Sequence, residues 1–198
     1  MKIINLQSML FMLFVIILLE RLYEMVIIKK NKTARIYNKS STYVLTIAYL
    51  LLNSIVGMHI VKTSNINFFF LTIGLLIYFI STVFRRKAIK TLGIYFELNV
   101  AFIQDHKLFT SGIYSIMRHP YYCGAVIEVI AIPIAFNTLE GFIFCLIVNI
   151  PLWIYRISIE EKALVDFFGD KYLHYSLSVP LIFSVKTFAQ KTAWFFQR

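Results

Sequence analysis

Five long apolar runs, each bounded by polar or charged residues, limit what this chain can fold into. They lie at about 3–28, 42–61, 66–84, 121–138 and 140–155. About 20 consecutive apolar residues are enough for a helix to cross the hydrocarbon core of a bilayer. Inside that core every backbone N–H and C=O must be paired within the protein, which leaves helices as the solution for runs of this length. The rest of the composition agrees. The chain of 198 residues is 59% hydrophobic and 15% charged, with a mean hydropathy of +0.73, too oily for a soluble domain. The expected fold is all-α, a polytopic integral membrane helical bundle of about five transmembrane helices. It forms one domain, 1–198, with three helices within 1–84, a polar region and short helical hairpin within 85–180, and an interfacial tail at 181–198.

The charge pattern sets an orientation. The net charge is +10, but the basic residues gather at the ends of apolar runs rather than on a separate surface. Lys29, Lys30, Lys32, Arg35 and Lys39 follow the first run, Arg85, Arg86, Lys87 and Lys90 the third, and Arg156 closes the fifth. By the positive-inside rule these ends face the cytoplasm, placing the N-terminus outside and the C-terminus in the cytoplasm. The same clustering argues against a nucleic-acid partner. The first run has no small-residue cleavage site and is too long for a secretory signal. Cys123 and Cys145 fit no metal-binding spacing and read as reduced thiols, so no metal site is expected.

Two polar clusters interrupt this pattern on one side of the membrane. In "SIMRHPYYCG", 115–124, Pro120 suits the first position of a helix, leaving His119 and backbone amides at a positive helix end. Taken alone, Arg118, His119 and the tyrosines would serve as an interfacial belt. The second cluster, "YRISIEEKALVDFFGDKYLHY", starts where the fifth run ends, and Arg156 and Glu160 share a helical face with Glu161 one position further round. Glu128 falls mid-run, so it needs either a function or a partner such as Asn149 or a tyrosine. Glu20, Arg21 and Glu24 read as interfacial ion pairs, and Gly57 and Gly74 as sites of close helix packing.

"KLFTSGIYSIMRHPYYCG", a short hairpin, and "RISIEEKALVDFFGDKYLHY" together resemble the isoprenylcysteine carboxyl methyltransferase family over about 85–180. "IKTLGIYFELNV" before them resembles its bacterial members. The resemblance implies an S-adenosyl-L-methionine-dependent methyltransferase, multi-pass in a bacterial cell membrane, with its cofactor on the cytosolic side. It implies a cofactor site of His106, Lys107, Leu108, Phe109, Tyr114, His119, Pro120, Tyr121, Tyr122 and Glu160, with Asn99 a further candidate. Arg156 and Glu160 would be catalytic, and Arg156 would hold the acceptor, bidentately if it is a carboxylate. The residue chemistry suits that cofactor. His119 at a helix start matches its carboxylate, Glu160 a cationic or hydroxyl group, and tyrosine faces the sulfonium. The implied partners are the bilayer and a hydrophobic or lipidated acceptor, of prenylcysteine or alkylpyrone type, with a small lipid-like molecule favoured over a protein. Alternative readings are a phospholipid N-methyltransferase, an NADPH-dependent membrane reductase with a similar Arg-His-Pro turn, and a non-catalytic scaffold.

Overall fold

The computed structural model describes residues 6–27, 35–63, 67–103 and 105–182. The expected tail beyond 182, the first basic cluster at 29–32 and Lys2 lie outside these residues. In chain order the elements are α1 (Leu6–Ile27), β1 (Arg35–Asn38), α2 (Ser40–Lys62), α3 (Phe68–Leu92), β2 (Val100–Phe102), α4 (Pro120–Ala135), α5 (Leu139–Phe144), α6 (Ile150–Phe168) and α7 (Asp170–Ser178).

Local chemistry marks the helix ends. The Asn38 side chain accepts from the Ser41 N–H at 2.9 Å before α2, and Asn67 does the same for Phe69 at 3.0 Å before α3. Pro120 opens α4, where its missing N–H costs nothing. At the other ends, Gly93 (φ 56°) closes α3 and Gly169 (φ 57°) closes α6 in backbone conformations that favour glycine. A π-helical turn, Cys145–Asn149, joins α5 to α6, so Leu139–Phe168 is one 30-residue helix. Pro151 follows that turn; it has no N–H for the carbonyl four residues back, and the wider turn accommodates it.

Ser40–Lys62, Phe68–Tyr95 and Leu139–Phe168 are long and apolar enough to cross a membrane. α4 is apolar but has 16 residues, and α1 carries Glu20, Arg21 and Glu24 towards its C-terminal end. Large apolar side chains point outward, with Val26 82%, Ile147 69% and Phe79 67% exposed, as a lipid-facing surface requires. The core joins Leu10, Phe14 and Ile17 of α1, Leu52, Val56 and Ile60 of α2, and Val129 and Ile132 of α4. α3 and α4 pack tightly where Gly74 faces Ala135. A Cβ at position 74 would lie 2.4 Å from the Ala135 backbone.

The charges on α1 and α3 lie deeper than expected. Arg85, read from the sequence as a membrane-end anchor, is fully buried, because α3 continues through it to Leu92. Its Nε donates to both Glu24 oxygens at 3.1 and 3.2 Å, and its Nη1 to Glu128 at 2.5 Å and Ser81 at 3.2 Å. Arg21 pairs with Glu24, and its Nε lies 3.6 Å from Glu128. Tyr49 on α2 donates to Glu128 at 3.0 Å, the tyrosine partner considered for it above. Glu20 accepts from Tyr78 at 2.7 Å and from Arg86 at 2.9 Å. One ion network therefore ties α1, α2, α3 and α4 together, where separate interfacial pairs were expected. Pairing lowers the cost of each charge in an apolar interior, which is why these residues can be buried at all.

The helical bundle has one small addition that hydropathy does not reveal. β1 and β2 pair antiparallel, with Arg35 opposite Phe102 and Ile36 opposite Ala101. The ladder holds the segment after α3 against the start of α2. It also brings Leu98 beside the first half of α6, where Arg156 donates to its carbonyl.

Candidate active site

An open-mouthed cavity of about 800 Å³ lies among the segment 92–109, the start of α4, the end of α6, and α7. Each residue implied for the cofactor lines it: His106, Lys107, Leu108, Phe109, Tyr114, His119, Pro120, Tyr121, Tyr122 and Glu160. Asn99 lines it too. The sequence reading passed over Tyr95, Phe102, Phe168, Tyr172 and Tyr175, which complete the walls. Phe168, Tyr172 and Tyr175 lie in the "FFGDKYLHY" stretch that carried the resemblance but were given no role there, while Tyr95 and Phe102 are single aromatics with no spacing to mark them.

Two carboxylates on α6 organise the polar side. Glu161 accepts from Arg118 and Tyr172, and its Oε1 lies 2.5 Å from His119 Nε2. Glu160, one residue earlier, accepts from the Tyr122 hydroxyl. The His119 and Tyr122 rings stack at 5.5 Å with 9° between planes, so the two carboxylate clusters share one wall. The amides of Arg118 and His119 donate to the carbonyls of Pro180 and Leu181 at 2.9 and 3.0 Å. The C-terminal segment thus occupies the helix-start amide of His119 that sequence reasoning had left open for an anion. Tyr175 donates to the Tyr114 carbonyl at 2.5 Å, fixing α7 over the Gly112–Ser115 turn.

Protonation states follow from burial. His106 sits edge-on to Tyr95 and Phe102, both with ring centroids 5.2 Å away, and desolvation lowers its pKa to about 4, so it is neutral. Its buried Nδ1 has no hydrogen-bond partner among the described residues. Burial raises the pKa of Tyr114 and Tyr172, keeping both hydroxyls protonated as donors.

Arg156 lies on the far side of this wall. It is fully buried and lines a second cavity of about 540 Å³ with Arg21, Tyr49, Tyr121, Tyr122 and Trp153. Leu98, Tyr121 and Tyr122 line both cavities. Arg156 Nε donates to the Tyr122 hydroxyl at 3.1 Å, so that one hydroxyl links Arg156 in the second cavity to Glu160 in the first.

Residues 70–166, which carry "RHPYY", Arg156 and Glu160, match the model of the isoprenylcysteine carboxyl methyltransferase family. A probable protein-S-isoprenylcysteine O-methyltransferase of rice is 31% identical over 157 residues, 76% of this chain and 80% of its own. The chain belongs to the isoprenylcysteine carboxyl methyltransferase family. Its members use S-adenosyl-L-methionine as methyl donor, so this is a membrane methyltransferase of that class. The Bacillus subtilis protein YpbQ is 24% identical over 166 residues, 80% of this chain and 98% of its own. The solved structure of the eukaryotic intramembrane Ras methyltransferase ICMT superposes with a TM-score of 0.52 at 28% identity. It covers 72% of this methyltransferase, which spans about half, 49%, of that longer chain.

Proposed function

We propose that this methyltransferase moves a methyl group from S-adenosyl-L-methionine to an anionic oxygen of a lipid-like acceptor, a carboxylate of prenylcysteine type. The chemistry occurs at the cytosolic face of a bacterial cell membrane. The observation that carries this reading is the pair of cavities sharing one wall, with Glu160 on one side and Arg156 on the other.

The residues of the larger cavity fit the donor. The orphaned Nδ1 of His106, set among Tyr95, Phe102 and Phe168, offers one polar contact inside an aromatic cage, as an adenine ring requires. Glu160 suits an ammonium or ribose hydroxyl, and the faces of Tyr122 and Tyr114 suit a cationic sulfur. When bound there, S-adenosyl-L-methionine supplies an electrophilic methyl group open to in-line displacement.

The chain's own residues position and shield. Tyr122 couples the two carboxylate and guanidinium clusters, and Leu98 and Tyr121 complete the partition. The acceptor carboxylate is already an anion at neutral pH, so no general base is needed. Holding two reactants aligned away from water can supply about 7–11 kcal/mol of a barrier. Beyond the second cavity, α1 and α2 carry an apolar groove lined by Phe14, Leu18, Leu50 and Met58, a path for a hydrophobic tail. The likeness to the B. subtilis protein along 98% of its length supports a bacterial membrane, and the basic clusters after α3 and beside α2 support a cytosolic site.

The test is turnover by purified protein in nanodiscs, with methyl-labelled S-adenosyl-L-methionine and N-acetyl-S-farnesylcysteine. The expected product is a base-labile methyl ester. Transfer to an alkylpyrone hydroxyl and not to the carboxylate would overturn the acceptor class, and binding of NADPH alone would overturn methyl transfer.

A further inference from the structure

Arg156 has little left to offer an acceptor. Its Nε donates to Tyr122, its Nη1 to the hydroxyls of Ser41 and Thr42, and one Nη2 hydrogen to the Leu98 carbonyl at 2.6 Å. An arginine has five N–H donors, so one remains, and a bidentate grip on a carboxylate is not open to it. A carboxylate stripped of water needs more than one donor.

Two further donors line the same cavity. Arg21 Nε, 3.6 Å from Glu128, and the Tyr121 hydroxyl, beside Arg21, are buried, and neither closes a full hydrogen bond among the described residues. Both side chains are more than nine-tenths buried, Arg21 at 5% and Tyr121 at 7% exposure. Buried donors are nearly always satisfied in folded proteins, and two incompletely satisfied donors on one cavity wall point to a ligand that completes them. The Tyr121 ring stands between the two sides. Phe96 meets it edge-on at 4.8 Å towards the larger cavity, and the Arg21 guanidinium lies 5.6 Å from its centroid.

We infer that Arg21 Nε–H and the Tyr121 hydroxyl, with the remaining Nη2–H of Arg156, form the subsite that binds the acceptor's carboxylate in the second cavity. This rests on the methyl-transfer reading above. It assigns α1 a direct part in recognition and moves Tyr121 from the cofactor to the acceptor. The transfer then balances without a proton. The C–S bond breaks as the C–O bond forms, the sulfonium becomes a neutral thioether, and the carboxylate becomes a neutral ester. Loss of the anion's charge weakens its hold on two guanidinium groups and favours release of the ester.

The experiment titrates N-acetyl-S-farnesylcysteine, and separately its methyl ester, into protein saturated with S-adenosylhomocysteine in nanodiscs, followed by calorimetry. Tyr121→Phe removes the hydroxyl beside Arg21 but keeps the ring in the shared wall, so S-adenosylhomocysteine affinity is the control that the cofactor side is intact. Its affinity for the acid is expected to fall about 10–100-fold, the range of a hydrogen bond to a charged group, with ester affinity unchanged. Arg21→Lys, which keeps the charge facing Glu24 and Glu128, is expected to shift acid binding in the same direction. Unchanged acid binding in Tyr121→Phe, or equal losses for acid and ester, would overturn the subsite. So would weakened S-adenosylhomocysteine binding, which would return Tyr121 to the cofactor side. Wild-type protein that binds S-adenosylhomocysteine but not the acid also overturns it, leaving the cofactor site intact. No binding of S-adenosylhomocysteine overturns the underlying reading instead.

Discussion

Glu128→Gln probes the network on which the bundle is built. Glu128 is 1% exposed and faces Arg85 Nη1 at 2.5 Å, Arg21 Nε at 3.6 Å and the Tyr49 hydroxyl at 3.0 Å. Glutamine keeps a carbonyl for Tyr49 but removes the charge, leaving two buried guanidinium groups against Glu24, with Glu20 partly exposed. Removing one partner of a buried ion pair costs about 3–5 kcal/mol, because the other charge stays desolvated. Replacing both Arg85 and Glu128, as Met and Leu, removes one charge of each sign and restores neutrality. That double variant is expected to be more stable than Glu128→Gln by at least about 2 kcal/mol. Equilibrium unfolding in mixed micelles reads both values. A loss below about 1 kcal/mol for Glu128→Gln, or a double variant weaker than the single one, would refute the view that charge balance holds α1, α3 and α4 together.

Other outcomes follow from single positions. Gly74→Leu drives a side chain into the Ala135 backbone, 2.4 Å from the new Cβ, and is expected to lower stability by at least about 1–3 kcal/mol in a thermal melt. The pKa of His106 is about 4 when folded, while the unfolded chain protonates it near 6.5. In that window the unfolded state binds more protons, so stability is expected to fall as pH drops from about 6.5 to about 4. His106→Phe is expected to flatten that slope in melts across the same pH range; an unchanged slope would remove His106 as its source. For orientation, a cysteine introduced at Lys90 is expected to react with an impermeant maleimide only in inverted vesicles, and one at Lys62 only in right-side-out vesicles.

The sequence made the bundle visible because a bilayer demands long apolar helices, and their boundaries carry charge. The expected topology put "RHPYY" and Arg156 on one side of the membrane, which pointed to the wall the two cavities share but not to Tyr95, Phe102, Phe168, Tyr172 or Tyr175. Long-range pairing was not legible. Arg85 finds Glu24 61 residues away and Glu128 43 residues away, and nothing local to Arg85 distinguishes a buried network from a membrane-end anchor. Successive helical residues point about 100° apart. That rotation is why Glu160 and Glu161 serve different partners, Tyr122 and His119, although they read as one acidic pair. The ladder of β1 and β2 is too short and irregular to leave a period-2 signature. The second cavity depends on Arg21 and Tyr121 meeting across 100 residues of chain, which spacing cannot report.

The central claim is that the cavity bounded by His106, Tyr122 and Glu160 holds the methyl donor. Calorimetric titration of S-adenosylhomocysteine into wild-type protein and Glu160→Gln tests it most directly. The expected result is saturable one-site binding to wild type, weakened at least about tenfold in Glu160→Gln, the range of a hydrogen bond to a charged group, at an unchanged melting temperature. No binding to wild type, or equal affinity in the folded variant, would contradict it.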